Sequence, residues 1–392
     1  MFPERFSNLP AYAFPRLRSL LDAHAPGGEV VHMTIGEPGH DFPRWITDII
    51  ARHADGFGNY PVNEGIPALL EACTDWIARR YAVTLDPGTR VMALNGTREG
   101  LYNAMMALCP ETKNGQAPAV LVPNPFYQVY MVAALSVGAE PVFLNATDAT
   151  GHLPDFDAVP AEVLDRTSVV YLCSPSNPQG AVASRAYWTH LIGLAERHDF
   201  RIFADECYSE IYRDAPPVGV LEVAQERGAD PERIVAFHSL SKRSNLPGLR
   251  SGFVAAGPGS IKALKQLRNY AGAPLPMPLQ HAAAAVWADE DHVIENRRLY
   301  AEKYAVADDI LGGISGYRSP EAGFFLWLPV ADGEAAALKL WQETGVRVLP
   351  GAYLGQDVQG TNPGAGYIRA AMVAPKDEMA RGLTALRDCL YR

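Results

Sequence analysis

Short apolar runs alternate with amphipathic stretches along the chain from about residue 90. The runs are RVMALNG, AVLVPNP, EPVFLNA, SVVYLCSP, FRIFADE, RIVAFHSL and SGFVAAG. Most of them end near Pro, Asn, Asp or Ser, and helical patterns such as Arg98–Cys109 lie between them. This alternation predicts an α/β fold with a mostly parallel sheet and helices on both of its faces. In such sheets, ligands bind beyond the carboxyl ends of the strands.

The pattern changes after the segment APLPMP. We predict a long helix over roughly Gln280–Leu311, a strand at FFLWLPV, a helix over Glu334–Glu343, a strand at GYIRAAMV and a C-terminal helix. This order is typical of an α+β unit. We therefore expect a large α/β domain over 44–279 and a smaller α+β domain formed by 1–43 and 280–392.

Composition excludes several classes of protein. The formal net charge of −10 argues against a nucleic-acid-binding face, which needs a clustered basic patch. The opening MFPERFSNLPAYAF lacks the order of a secretory signal, and no apolar run is long enough for a membrane span. The five cysteines are scattered without the spacing of metal ligands. We expect a cytoplasmic protein that binds neither metal, membrane nor nucleic acid.

Two polar clusters follow the first and the fourth of these strands. In NGTREG, the strand ends at Gly96 and a helix opens at Thr97 and Arg98, so free backbone N–H groups could bind a phosphate. In SPSNPQG, prolines on both sides of Asn177 predict a fixed turn that presents its amide. Taken alone, each cluster is better explained without a ligand, the first as an ordinary helix cap and the second as a plain turn.

Two further clusters carry ionisable groups. In ADECYSEIY, Asp205 ends a strand and Tyr208 follows three residues later; the carboxylate could cap a helix or hold a positive charge on a ligand. In HSLSKRSNLPGLR, a desolvated Lys242 would be a nucleophilic amine able to form an imine. The donors that a phosphate monoester needs are nearby, at Ser239, Ser241 and Arg250. The alternative is a solvated basic loop.

A phosphate site, an imine-forming lysine, a carboxylate and amide or hydroxyl donors together match pyridoxal 5′-phosphate. SLSK followed by LPGLR resembles the fold-type I, class I/II aminotransferases related to aspartate aminotransferase. SPSNPQG and DECY resemble the asparagine loop and the Asp-x-x-Tyr of that family, and the likeness covers nearly the whole chain. It implies the fold-type I fold, pyridoxal 5′-phosphate as cofactor, and ping-pong transamination through pyridoxamine phosphate.

The resemblance also implies a role for each matching residue. Lys242 would bind the cofactor covalently and move the proton, and Asp205 would pair with the pyridine nitrogen. Asn177 and Tyr208 would bind the phenolic oxygen, and Tyr127 would stack on the ring. The phosphate would be held by residues of two loops: Gly96, Thr97, Arg98, Ser239, Ser241 and Arg250.

The substrate and the partner subunit are implied in the same way. Arg369 in GYIRAAMV would bind the substrate α-carboxylate, with Gly36 and Asn177 beside it. Tyr60 in GNYPVNEG would reach the phosphate of the neighbouring subunit, which implies a homodimer.

A finer likeness points to the succinyldiaminopimelate transaminases of proteobacteria. It rests on GEPGHDFP, NGTRE, PNPFYQVY, LPDFDAVP and FHSLSKRSNLPGLRSGFVA, although Ala271 departs from a bulkier polar residue near the site. Their substrates, N-succinyl-L,L-diaminopimelate and 2-oxoglutarate, both carry a distal carboxylate. The cations that could bind it are Arg16, Arg18, Arg98 and Arg243.

Three other functions remain open. Two are enzymatic, a broad aromatic or neutral amino-acid aminotransferase and a carbon–sulfur lyase, and both would use Lys242, Asp205 and Arg369 in the same way. The third is a regulator with an aminotransferase-like sensor domain, which would need a basic DNA-binding module.

Overall fold

The computed structural model describes residues 4–7, 9 and 11–392. In this part of the chain the strands are β1 (Val31–His32), β2 (Val91–Leu94), β3 (Ala119–Asn124), β4 (Glu140–Asn145), β5 (Thr167–Cys173), β6 (Arg201–Asp205), β7 (Ile234–Ser239), β8 (Gly252–Ala256), β9 (Phe325–Pro329), β10 (Val346–Arg347), β11 (Leu349–Pro350) and β12 (Tyr367–Ala371).

The same part of the chain contains these α-helices: α1 (Ala13–Leu21), α2 (Ile46–Arg52), α3 (Pro67–Tyr81), α4 (Thr97–Leu108), α5 (Val129–Ser136), α6 (Ala161–Arg166), α7 (Arg185–His198), α8 (Val220–Arg227), α9 (Leu240–Arg243), α10 (Pro258–Arg268), α11 (Met277–Ala288), α12 (Asp291–Leu311), α13 (Gly333–Thr344) and α14 (Lys376–Leu390). None of them combines the length and the apolar character that a membrane crossing requires.

A seven-stranded sheet forms the centre of the molecule, in the order β2-β8-β7-β6-β5-β3-β4. β8 is antiparallel to both of its neighbours, and the other pairs are parallel. Strands such as β5 are continuous apolar runs because helices cover both faces of the sheet. The predicted α/β fold is confirmed.

The two faces of this sheet bury separate cores. On one face, α3, α7 and α11 contribute Trp76, Trp188 and Trp287, which are all wholly buried. On the other face, α4, α5 and α10 pack against the sheet. Burial of one such large side chain stabilises the fold by roughly 1.5–3 kcal/mol. These two cores hold the carboxyl ends of the strands in fixed positions.

Two smaller sheets lie in the second unit. β11, β12 and β9 form an antiparallel sheet in that order, and β1 pairs in parallel with β10. The N-terminal segment belongs here, because Ala13, Leu17 and Leu21 of α1 pack with Trp341 of α13. The domain limits stay a prediction; the limit at 279 and 280 falls inside α11, which packs against α2 and α3.

The single helix expected over Gln280–Leu311 is wrong, since α11 ends at Ala288 and α12 begins at Asp291. The buried Arg243 explains the break. Its Nη1 donates to the carbonyl of Val286 at 3.0 Å, and its Nη2 donates to the carbonyl of Asp289 at 3.0 Å. Nη2 also binds Glu290 at 2.8 Å. The guanidinium thus satisfies carbonyl groups that a continuous helix would have bonded internally.

Candidate active site

A cavity of about 480 Å³ opens beside the carboxyl ends of β5, β6 and β7. Its walls also come from the start of α4, from the segment after β1 and from β12. The predicted site residues that line it are Gly36, Thr97, Arg98, Tyr127, Asn177, Asp205, Tyr208, Ser239, Ser241, Lys242, Arg250 and Arg369. Residues from distant parts of the sequence therefore meet at one place, and their roles in binding stay predictions.

Lys242 enters the cavity from the short helix α9, directly after β7. Ser239 caps this helix, because its hydroxyl accepts a hydrogen bond from the N–H of Ser241 at 3.0 Å. The Nζ of Lys242 donates to the carbonyl of Gly36 and meets no carboxylate among the described residues. Burial lowers the pKa of Lys242 to about 8. A substantial fraction of its amine is therefore unprotonated and nucleophilic near neutral pH.

Asp205 ends β6 and is buried below the cavity. Its Oδ2 accepts a hydrogen bond from Tyr130 Oη at 2.8 Å, and its Oδ1 accepts one from the Cys207 N–H at 3.3 Å. Burial raises the pKa of Asp205, while these hydrogen bonds and Lys242 act in the opposite direction. A buried carboxylate of this kind suits a cationic group of a ligand, which would relieve its desolvation.

Tyr130 was not among the residues that the sequence singled out. It lies in the first turn of α5, whereas Tyr127 lies two residues before this helix begins. The ring of Tyr127 packs edge-on against that of Tyr130, with 5.7 Å between their centres. The spacing YQVY was the available signal, but it does not reveal that the second hydroxyl reaches Asp205.

The turn between β2 and α4 matches the needs of a phosphate. Gly96 has φ 80°, and a side chain there would collide with the guanidinium of Arg250. Arg250 itself has φ 55° and donates to the carbonyls of Pro247 and Asn95 at 2.8 and 3.2 Å. The hydroxyls of Ser239 and Ser241 lie 2.9 Å apart on the same wall as Thr97. Hydroxyls, a guanidinium and the first N–H groups of a helix form a donor set that fits a phosphate ester.

Arg369 on β12 lies in the cavity wall and is 4% exposed. Its Nη1 donates to Asn177 Oδ1 at 3.0 Å, and its Nη2 donates to the carbonyl of Thr34 at 2.7 Å. The guanidinium also lies over the ring of Phe325, 4.1 Å from its centre. Burial lowers the pKa of Arg369 to about 10, and no carboxylate of the described residues pairs with it. A carboxylate from a ligand would supply the missing negative charge.

Other predicted residues complete the wall. Arg98 Nε donates to the hydroxyl of Tyr127 at 2.7 Å, and this hydrogen bond raises the pKa of Arg98. The ring of Tyr208 packs edge-on against Phe325, and burial raises the pKa of its hydroxyl. A side chain at Gly36 would collide with the ring of Phe325, so backbone alone forms this part of the wall.

Some predicted residues lie elsewhere. Tyr60 is fully exposed to solvent and does not line the cavity. Among the candidate cations for a distal carboxylate, Arg16 pairs with the exposed Glu334 at 2.8 Å and Arg243 is buried beside Glu290. Arg98 alone of the four candidates lines the cavity.

The comparisons with known proteins agree with this geometry. The family model described as aminotransferase class I and II matches residues 28–386. LL-diaminopimelate aminotransferase of Desulforudis audaxviator is 34% identical over 99% of this chain and 98% of its own. A crystal structure of an aminotransferase from Neisseria meningitidis is 38% identical, with a TM-score of 0.95 over all of both chains. That of the aminotransferase AspB from Helicobacter pylori is 32% identical over 97% of this chain and 98% of its own, with a TM-score of 0.90.

The predicted family, fold type and cofactor are thereby confirmed. The chain belongs to the class I and II aminotransferases, enzymes of fold type I that use pyridoxal 5′-phosphate.

Proposed function

We propose that this aminotransferase converts N-succinyl-L,L-2,6-diaminopimelate and 2-oxoglutarate into N-succinyl-2-amino-6-oxopimelate and glutamate. This reaction would serve lysine and diaminopimelate biosynthesis. The observation that carries the proposal is that, besides Arg250 on the phosphate side, two guanidinium groups line the same cavity, those of Arg369 and Arg98. Each of the two substrates has an α-carboxylate for the first and a distal carboxylate for the second. Relatives named LL-diaminopimelate aminotransferase support the diaminopimelate skeleton.

The residues at the strand ends would hold the cofactor. The phosphate would be bound by the turn at Gly96, by the backbone N–H groups of Thr97 and Arg98, and by the side chains of Ser239, Ser241 and Arg250, and Tyr127 would lie against the ring. Asp205 would accept a hydrogen bond from the protonated ring nitrogen, and its own bond from Tyr130 fixes its orientation. Asn177 and Tyr208 would donate to the phenolic oxygen. When bound, pyridoxal 5′-phosphate supplies a sink for the electrons of the substrate Cα–H bond.

Lys242 would attach the cofactor and then act as the proton carrier. An amine whose pKa is about 8 can both accept a proton from Cα and return it near neutral pH. Arg369 would bind the α-carboxylate through two parallel hydrogen bonds and so turn the Cα–H bond toward Lys242. The neutral partners of Arg369 leave its charge available for this carboxylate.

Free LL-diaminopimelate is the second candidate substrate. Its distal end carries an ammonium group as well as a carboxylate, and the carboxylate of Glu37 lines the same cavity. Glu37 would attract that ammonium group, whereas a succinylated nitrogen carries no charge. The two substrates therefore differ in the charge of the distal nitrogen that would lie near Glu37.

The two candidates can be separated by a half-reaction titration of the holoenzyme, following the visible absorbance of the cofactor. We expect rapid conversion by glutamate and N-succinyl-L,L-diaminopimelate, and slow conversion by free LL-diaminopimelate, phenylalanine and alanine. A faster reaction with the free diamine would assign the second candidate. Pyruvate released from cystathionine would instead indicate a lyase. In Arg98→Gln, glutamate and N-succinyl-L,L-diaminopimelate, which both carry a distal carboxylate, should lose apparent affinity while alanine does not.

We further propose a homodimer in which Tyr60 reaches the phosphate of the neighbouring site. Tyr60 is fully exposed, Tyr270 is 85% exposed, and Phe57 and Val62 are exposed nearby in the sequence. A cluster of exposed aromatic groups indicates a contact surface. Sedimentation of the holoenzyme should give a dimer, and Tyr60→Phe should weaken cofactor retention without changing the mass of the assembly.

A further inference from the structure

One face of α12 is polar although it is buried. Asn296, Tyr300 and Lys303 lie at spacings of four and three residues, which place them on one side of a helix. Asn296 and Lys303 are each 2% exposed, and Tyr300 is wholly buried. Burial of polar groups at this density is costly unless their hydrogen bonds are made.

Asn296 joins the loop that carries Lys242 to the segment 36–41. Asn245, three residues after Lys242, donates through Nδ2 to the carbonyl of Asp41 at 3.2 Å and to Asn296 Oδ1 at 3.1 Å. The same Asn296 oxygen lies 2.8 Å from Nδ1 of His40. Because this oxygen can only accept, His40 must carry its proton on Nδ1 and donate it. One amide oxygen thus receives hydrogen bonds from both segments.

Lys303 binds the segment that follows β12. Its Nζ donates to the carbonyls of Met372 and Val373 at 3.1 and 3.3 Å, directly after β12, which carries Arg369. Burial lowers the pKa of Lys303 to about 8, and no carboxylate pairs with it in the part of the chain that the structure describes. The segment 36–41 packs here as well, since a side chain at Gly39 would collide with the carbonyl of Val373.

The lysine loop is further constrained by its own backbone. Asn245 has φ 53° and Arg250 has φ 55°, a left-handed conformation that is uncommon for residues other than glycine. At Asn245 the hydrogen bonds to Asp41 and Asn296 hold this conformation in place. Apolar side chains on α12 would pack as tightly but would not fix a direction, whereas the hydrogen bonds of Asn296 and Lys303 are directional and favour one arrangement.

We infer that the face Asn296–Tyr300–Lys303 of α12 is a positioning element that sets the spacing between Lys242 and Arg369. It acts through Asn245 and segment 36–41 on one side and through the end of β12 on the other. The ligand whose binding depends on it is a dicarboxylic acid held by Arg369. This inference rests on the proposed role of Arg369 as the carboxylate-binding residue.

The test is calorimetric binding of glutarate, a dicarboxylate without an amino or oxo group, to the holoenzyme. Asn296→Leu removes the shared acceptor, and Asn296→Asp keeps an oxygen there. Ser260→Ala is the matched control. Ser260 is a buried residue of α10 whose hydroxyl donates to Glu232 at 2.8 Å, and the substitution removes this hydrogen bond. Arg369→Gln tests the proposed function separately. The affinity of each apoprotein for pyridoxal 5′-phosphate and its melting temperature are measured in parallel.

We expect Asn296→Leu to weaken glutarate binding about tenfold while the affinity for the cofactor changes much less. Asn296→Asp should recover most of this loss, and Ser260→Ala should bind glutarate as the wild type does. Unchanged glutarate binding in Asn296→Leu, or an equal loss of cofactor affinity, would overturn the inference. If Arg369→Gln binds glutarate normally, the proposed role of Arg369 fails instead, whatever Asn296→Leu does.

Discussion

The regions around Lys242 and Lys303 make an instructive pair. In both, a lysine is withdrawn from water and burial lowers its pKa to about 8. Lys242 faces a cavity of about 480 Å³ together with Asp205 and Arg369. Lys303 faces the carbonyls of Met372 and Val373 and does not line that cavity.

The difference shows what a lowered pKa does and does not indicate. Desolvation alone makes an amine nucleophilic, but a reaction also needs space for a reactant and groups that orient it. Lys242 has both, whereas the ammonium of Lys303 is enclosed by backbone acceptors. We therefore regard Lys242 as the reactive lysine and Lys303 as a structural cation.

The largest expected effect is the loss of turnover in Lys242→Ala. In the proposed mechanism the amine of Lys242 attaches the cofactor and carries the Cα proton, so without it kcat should fall by roughly 10⁴-fold or more. Lys303→Met removes a charge of equal size from a buried site outside the cavity and should lower kcat far less. Steady-state kinetics with glutamate, together with the melting temperature, measure both variants. Similar losses of kcat in the two variants would remove the distinction between them.

Asp205→Asn should have the next largest effect. The amide keeps the shape of the carboxylate but cannot stabilise a protonated ring nitrogen, so kcat should fall about 100-fold or more. Glu206→Gln is the control, since the neighbouring carboxylate is equally buried but binds the N–H of Val220 at 2.7 Å away from the cavity. Stopped-flow half-reactions distinguish the two variants, and equal rates for both would show that Asp205 does not support the ring.

The site residues that could be predicted from the sequence are those at the carboxyl ends of strands. Asp205 ends β6, Ser239 ends β7, and Lys242 lies in α9 directly after β7. Because β6 and β7 are parallel neighbours, these residues come together. A motif therefore predicts not only residue types but also their meeting place. This is why twelve of the predicted residues line a single cavity.

The rest could not be predicted in the same way. The contacts of Asn296 with His40 and Asn245 join residues hundreds or tens of positions apart, and no local pattern encodes them. Arg243 illustrates the same limit, because the sequence offered it as a substrate-binding cation and the structure buries it beside Glu290. Its position depends on the break between α11 and α12, which helical periodicity did not reveal.

The pH dependence of cofactor attachment is a finer test of the difference between Lys242 and Lys303. Attachment requires an unprotonated amine, and burial lowers the pKa of Lys242 to about 8. The rate at which apoprotein takes up pyridoxal 5′-phosphate should therefore rise with pH and level off above about 8. Lys303→Met should show the same midpoint, because its amine takes no part. A midpoint near 10 in the wild type would mean that the amine of Lys242 is not desolvated.

The smallest effect concerns stability. A lysine whose pKa is about 8 when folded and about 10.4 when unfolded binds more protons in the unfolded state between these two values. The free energy of unfolding of the wild type should thus rise, relative to that of Lys303→Met, as the pH increases through this window. Below about pH 8 the difference should be constant, since both states then carry the proton. Urea titrations of the apoprotein at pH 7.5, 9 and 10 measure it, and a difference that does not change with pH would show that burial does not lower the pKa of Lys303.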